Sequence, residues 1–224
     1  MSRVLPKIHL VDGIELAPGR PITPTLIEDP RGSLTLVDAG EVGTVGKFGE
    51  YLHHAGFTFK QVKRIIITHT HPDHIGDLKA LVRETGAKTY SHWTEAPYIA
   101  QKPPYDGPPK IDYSRIEPVE VDVKLNDGDS IPVLGGLEVI HTPGHTPGHI
   151  CLYSKRFRTL IAGDLFFNRE KFELCTPSVT LHTPTAAISA KRVAQVSFDN
   201  LLLYHGPSFI GDARAKVQEL VRKL

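Results

Sequence analysis

Residues 69–74 read His-Thr-His-Pro-Asp-His, three imidazoles and a carboxylate within six positions. Imidazoles this close repel one another when protonated and need partners when buried. A divalent cation meets both demands by accepting an electron pair from each. Three further polar residues follow apolar or turn-rich stretches: His145 in Thr142-Pro143-Gly144-His145-Thr146-Pro147-Gly148-His149, Asp164 after Leu160-Ile161-Ala162-Gly163, and His205 after Leu201-Leu202-Leu203-Tyr204. Loops at strand ends are where rigid scaffolds carry sites. A lone histidine there is more often structural, but beside the 69–74 cluster these positions point to metal-assisted chemistry. Nitrogen and carboxylate donors without thiolate suit zinc, and iron and manganese tolerate the same set. Cys151 and Cys175 are the only cysteines and match no thiolate zinc spacing; Cys151 reads as packing.

The elements that must hold these groups are legible in outline. Arg64-Ile65-Ile66-Ile67-Thr68 reads as a buried strand, and Ile75, Leu78, Leu81 and Val82 give the apolar period of a helix that stops at Gly86. The His cluster therefore occupies a strand-to-helix turn, with Asp73 and His74 at the helix start, where backbone N–H groups favour an ionised carboxylate. Upstream, 25–28 and 34–38 flank the turn residues Asp29-Pro30-Arg31-Gly32 as a hairpin, and 47–56 reads as a helix. Residues 87–91 form a further strand. Short strands are expected over 119–123, 131–134, 137–141, 150–153 and 159–162, a helix over 185–197, a strand over 201–203, and a last helix capped by Asp212. Strands followed by helices in each half suit two sheets packed face to face with helices outside. Residues 93–118 hold six prolines with Trp93, Tyr98, Tyr105 and Tyr113 between them. Such a segment is either a surface excursion or a flap over a cleft, and the packing needs of its aromatics favour the flap.

Composition excludes several classes. The chain has 224 residues, 40% hydrophobic and 23% charged, with a net charge of +1, ordinary values for a globular protein. No basic run is long enough to mark a nucleic-acid face, and no apolar stretch spans a membrane. Lys155-Arg156-Phe157-Arg158 reads as a surface hairpin turn. Without a signal-peptide core in Met1–Pro6, a cytoplasmic protein is expected. No linker divides residues 1–224, so one domain is expected.

At this point a resemblance is plain. His-x-His-x-Asp-His, then a separated His, a separated Asp and a final His, resembles the signature of the metallo-β-lactamase-fold hydrolase superfamily. Here the positions are His69, His71, Asp73, His74, His145, Asp164 and His205, and Asp38-Ala39-Gly40 is similar to that family's early Asp-x-Gly strand end. The resemblance implies an α+β fold, the four-layer αββα sandwich of two mixed sheets. It implies one zinc on His69, His71 and His145, a second on Asp73, His74 and His205, and Asp164 bridging. Two divalent cations, two carboxylates and a bridging hydroxide leave about one formal positive charge, enough to polarise a carbonyl. Asp73 would orient that hydroxide and hand its proton to the leaving group. Asp38 is either a partner that fixes a ligand imidazole or merely a turn former before Gly40. His141 and His149 read as loop hydrogen-bonders, His182 as a residue that could approach the cleft, and His9, His53, His54 and His92 as surface or packing residues.

The superfamily includes hydrolases of lactams, thioesters, lactones, phosphodiesters and phosphotriesters, so the fold does not choose a substrate. Glyoxalase II-like members add a helical domain after the last His, for which the 19 residues after His205 are too few. Flavodiiron relatives carry Glu where this chain has His71. The segment Gly163-Asp164-Leu165-Phe166-Phe167-Asn168-Arg169-Glu170 resembles acyl-homoserine lactonases, which place Tyr at the position of Phe167. The Tyr hydroxyl there polarises the lactone carbonyl; Phe167 removes it and leaves an apolar substrate-binding wall. The expectation is a dizinc hydrolase of a small-molecule ester-like substrate, lactone or thioester. Alternatives are a promiscuous phosphodiesterase or phosphotriesterase, and an iron-dependent dioxygenase of the same fold. Relatives often dimerise through exposed faces of the sandwich, which leaves a homodimer open, with no specific interface legible.

Overall fold

The structure is a computed structural model that describes residues 2–101 and 111–224. A seven-stranded sheet runs in the order Ser2–Leu5, Ile8–Leu10, Thr25–Glu28, Leu34–Val37, Val62–Ile67, Lys88–His92, Val123–Leu125. Its pairings are antiparallel as far as Leu34–Val37 and parallel beyond. A five-stranded sheet runs in the order Ser130–Ile131, Leu137–His141, Ile150–Ser154, Thr159–Ile161, Asn200–Leu202, antiparallel except for the last pair.

Side-chain alternation along the central strands fixes the layers. Successive strand residues point to opposite faces. In Val62–Ile67, Ile66 faces the other sheet, packing with Val37, Val139, Leu152 and Ile161. Ile65 and Ile67 face outward, among Phe48, Leu52, Leu78 and Leu81 of the helices Val45–His54 and Leu78–Thr85. The second sheet mirrors this. Leu202 joins the inter-sheet core, while Leu201 and Leu203 pack with Ala186, Ala190, Val193 and Val217 of the helices Thr183–Val193 and Ala213–Val221. Helix, sheet, sheet and helix stack as an α+β sandwich. The apolar runs that alternation alone could not orient are buried on both faces. Among the described residues no helix is long and apolar enough to cross a membrane.

Several elements differ from the sequence expectation. The helix after the His cluster is two helices, Pro72–Ile75 and Leu78–Thr85. Between them, the Asp77 carboxylate turns away to accept hydrogen bonds from the N–H groups of Gly43 (2.9 Å) and Val45, at the start of another helix. No strand forms over 119–122; the Asp122 carboxylate takes the Thr89 N–H (2.8 Å) in place of a ladder carbonyl. Asp212 precedes the last helix but makes no side-chain cap, its backbone lying in the left-handed region (φ 52°). Two hairpins, Ile14–Ala17 with Arg20–Ile22 and Phe166–Asn168 with Phe172–Leu174, add to the expected set. The middle of the expected flap, 102–110, lies outside the described residues. At its margin Ile111 lines the cleft below, and the Tyr113 hydroxyl donates to the Thr70 carbonyl (2.8 Å).

Candidate metal centre

The site lies where loops from both sheets meet. Thr68 leaves the first sheet and its carbonyl accepts the Ile150 N–H of the second (3.0 Å), so one backbone bond ties the sheets at the site's edge. His69 follows directly. Asp38, at the end of the neighbouring strand, holds this turn: its Oδ1 accepts the Thr68 N–H (2.8 Å), and its Oδ2 lies 3.0 Å from His74 Nδ1. A left-handed backbone (φ 66°) at Asp38 aims the carboxylate inward. Of the two readings of Asp38, the geometry favours the imidazole partner.

The structure brings the seven expected side chains into two adjoining groups. His69, His71, His145 and Asp164 form one; Asp73, His74 and His205 form the other. Within each group one ligand atom per residue lies within 4.8 Å of the rest. Asp164 joins them: its Oδ1 is 3.1 Å from His74 Nε2, and its Oδ2 is 3.5 Å from His145 Nε2 and 3.3 Å from His205 Nε2. Asp73 Oδ2 is 3.2 Å from His205 Nε2. All but Asp73 are buried; Asp73 is partly exposed on the cleft wall.

Hydrogen bonds behind the imidazoles leave their inner nitrogens free. His69 Nδ1 lies 3.1 Å from Thr68 Oγ1, and His145 Nδ1 lies 3.0 Å from Thr180 Oγ1. The Nε2 atoms of His69, His71, His74 and His145, and Asp164 Oδ1, are buried without a hydrogen-bond partner. Leaving one such atom unpaired costs roughly 1–3 kcal/mol, and five together are hard to sustain in a folded protein. A cation held by each group would satisfy all five. The donor set, nitrogen and carboxylate oxygen without sulfur, fits zinc.

Titration behaviour follows the same division. Burial holds His69 well below its ordinary value, reinforced by the imidazoles of His74, His71 and His145. Burial and then His145 do the same for His71. His74 is also pushed down by burial, but Asp164, Asp38 and Asp73 surround it and carry it well above the usual histidine range. Burial raises Asp73, and His74 with the His205 hydrogen bond overcomes that and brings it down to about 2. The protein alone thus keeps His69 and His71 as neutral imidazoles and balances carboxylates against imidazolium protons at His74 and His205, places that cations would take.

His149, expected as a loop hydrogen-bonder, does more. Its Nε2 accepts the Asp164 N–H (3.0 Å), so Nδ1 bears the proton and donates to Thr142 Oγ1 (2.8 Å). It holds the Asp164 backbone from behind. His141 bonds the Pro147 carbonyl (3.0 Å). His182 stays away from the cleft, at the N-terminus of Thr183–Val193, accepting from the Thr185 N–H. Sequence reasoning missed Tyr204, whose ring lies tilted by 30° over His74 (centroids 3.8 Å) and whose hydroxyl donates to the Asp73 backbone carbonyl. It also missed Thr180 and Glu95. Only the adjacency of Tyr204 to His205 hinted at any of them.

The centre opens into a cleft of about 340 Å³ lined by Leu16, Ile111, Phe167, Val179, Arg20 and Arg169, among others. Phe167 is buried, its ring edge against His205 (centroids 5.0 Å) and its face under the Arg169 guanidinium (4.7 Å).

Residues 17–197 match the family described as the metallo-beta-lactamase superfamily. Probable metallo-hydrolase YflN of Bacillus subtilis (strain 168) is 33% identical over 86% of this chain and 83% of its own length. A hydroxyacylglutathione hydrolase of Ectopseudomonas mendocina (strain ymp) is 33% identical over 63% of this chain, and the match spans 46% of that enzyme. Among solved structures, a metallo-beta-lactamase family protein from Thermus thermophilus superposes with a TM-score of 0.76 at 24% identity, covering 98% of this chain and 80% of that one.

Proposed function

The chain belongs to the metallo-β-lactamase superfamily and is a metal-dependent hydrolase, and from that premise we propose that it uses two zinc ions to hydrolyse a small ester-like substrate, a lactone or thioester. One zinc would be held by His69, His71 and His145, the other by Asp73, His74 and His205, with Asp164 serving both. The observation that carries this reading is Asp164, whose carboxylate lies against both groups: His145 Nε2 of one is 3.5 Å from it, and His74 Nε2 and His205 Nε2 of the other are 3.1 and 3.3 Å from it. Cations held at these positions would supply a Lewis acid for the scissile carbonyl and lower the pKa of water.

The chain's own residues do the rest. Asp73 is ionised and lines the cleft, so it accepts a hydrogen bond from attacking water and passes the proton to the departing oxygen or sulfur. Leu16, Ile111, Phe167 and Val179 offer apolar contact to an acyl chain, and the cleft volume suits a small molecule. Phe167 contributes no hydroxyl to the carbonyl. The similarity to a hydroxyacylglutathione hydrolase supports the thioester arm.

A second reading, phosphodiester or phosphotriester hydrolysis, is favoured by Arg20 and Arg169. Both line the cleft and its continuation beside Gly206 and Pro207, and among the described residues neither forms an ion pair. Guanidinium groups suit phosphate oxygens.

Metal analysis with initial rates on a lactone, a thioester, a phosphodiester and a β-lactam tests both readings. Two zincs per chain, with a lactone or thioester preferred by about tenfold in kcat/KM (about 1.4 kcal/mol of transition-state binding), is expected. His71→Ala should lose one zinc and most turnover. Fastest turnover of the phosphodiester would transfer the assignment to the second reading. One iron per chain with oxygen consumption would replace hydrolysis by dioxygenase chemistry.

A further inference from the structure

Glu95 is fully buried, and among the described residues no basic side chain pairs with it. A buried carboxylate needs strong compensation. Here the compensation comes from the two loops that carry the candidate ligands. One oxygen, Oε2, accepts the Thr70 N–H (2.9 Å) and the Thr70 hydroxyl; Thr70 stands between His69 and His71. The other, Oε1, accepts the Gly148 N–H (2.7 Å); Gly148 lies between His145 and His149. The first loop issues from the seven-stranded sheet and the second from the five-stranded sheet. Glu95 itself is fixed by its backbone, donating to the His92 carbonyl and accepting from the N–H groups of Tyr98 and Ile99. The fit is close: a Cβ on Gly148 would lie 2.8 Å from Glu95 Cγ and 2.8 Å from its backbone nitrogen.

We propose that Glu95 is a positioning residue, a carboxylate clamp that holds loops 68–71 and 142–149 in register before any metal binds. The proposal rests on the metal-centre reading for its consequence but not for its geometry. Glu95 does not line the cleft, so it does not touch substrate. Its chemistry explains why a carboxylate is needed. Both oxygens receive donors, and a glutamine side chain has an oxygen at one end only. Whichever way the amide of E95Q turned, its NH₂ would meet an N–H of one loop, leaving that loop unclamped with no change in volume. Asp is one methylene shorter and cannot span both loops.

Hydrogen exchange in the metal-free wild-type protein is the first test. The Thr70 and Gly148 amides should be protected like the strand amides of Ile65 and Leu152; free exchange at either would overturn the proposal. The second test is zinc affinity, measured by competition with a chromogenic chelator. E95Q and E95D should each weaken zinc binding by about 10–100-fold, the range for groups that orient metal ligands. In metal-free E95Q, Thr70 or Gly148 should lose protection while Ile65 and Leu152 keep it. Zinc-saturated E95Q should lose more in kcat than in KM. Val217→Ala, which destabilises the fold from the far helix, should leave zinc affinity within about twofold of wild type. Zinc affinity within about twofold of wild type in folded E95Q would overturn the clamp. Failure of the wild-type protein to bind zinc would instead overturn the metal reading, with the exchange data still deciding the clamp.

Discussion

The site is assembled from residues whose roles depend on which atom faces which neighbour, and sequence spacing conveys this unevenly. His69, His71, Asp73 and His74 announced themselves by proximity, and His145, Asp164 and His205 by their places at strand ends. His149 was equally visible but its role was not, because that role follows from a bond to the Asp164 backbone fifteen residues away. Phe167 is where the chain departs from the lactonase-like pattern it resembles. Its ring is packed between His205 and Arg169, so an added hydroxyl would extend from a wall that is already ordered. Phe167→Tyr should raise kcat/KM on a γ-lactone by about tenfold, in line with the worth of one donor to a developing oxyanion. Initial-rate kinetics check this, and unchanged rates would remove the lactonase analogy.

At the scale of elements, loop 142–149 depends on a close approach that only glycine permits. Gly144 adopts φ +129°, and a Cβ there would lie 2.2 Å from the Ala186 nitrogen of Thr183–Val193. Its carbonyl accepts the His182 N–H (2.8 Å), which seats the loop on that helix. Gly144→Ala should destabilise the fold by about 2 kcal/mol or more and displace His145, read as a lowered Tm together with reduced metal content. A second element-level consequence concerns pH. His92 ends the strand Lys88–His92 and stacks on His141 (centroids 4.1 Å, 11° between planes). Burial, then the His141 imidazole, lowers His92 from 6.5 to about 4, against the pull of Asp127 and Asp129. Between those values the unfolded chain binds the extra proton, so stability is intact above pH 6.5 and falls as pH drops toward 4. Denaturant titrations of His92→Gln should show a shallower acid loss than wild type over that window; an identical slope would contradict the assignment. The same scale shows what the sequence hid. The interrupted helix after the His cluster follows from Asp77 capping a neighbouring helix, a contact 32–34 residues away that apolar periodicity cannot register.

For the whole molecule, the order of layers was legible because Ile65-Ile66-Ile67 and Leu201-Leu202-Leu203 could only be buried on both faces, and strands so buried demand cover on each side. What was not legible is how the sheets are joined at the site: the Thr68–Ile150 backbone bond and the Glu95 bridge are both long-range. The joined sheets enclose a cluster of unpaired buried donors, so the intact protein should be markedly more stable with metal than without. Each zinc at about a thousandfold above its Kd contributes about 4 kcal/mol, so for a chain of this size chelating both should lower Tm by about 20 °C, seen by calorimetry. Equal melting with and without chelator would argue against a metal bound to the folded state alone.

The most direct test of the central claim is anomalous diffraction at the zinc edge from crystals of the zinc-loaded protein. The account predicts two peaks, one among His69, His71 and His145 and one among Asp73, His74 and His205, with Asp164 touching both. A single peak, or peaks outside these two groups, would contradict it.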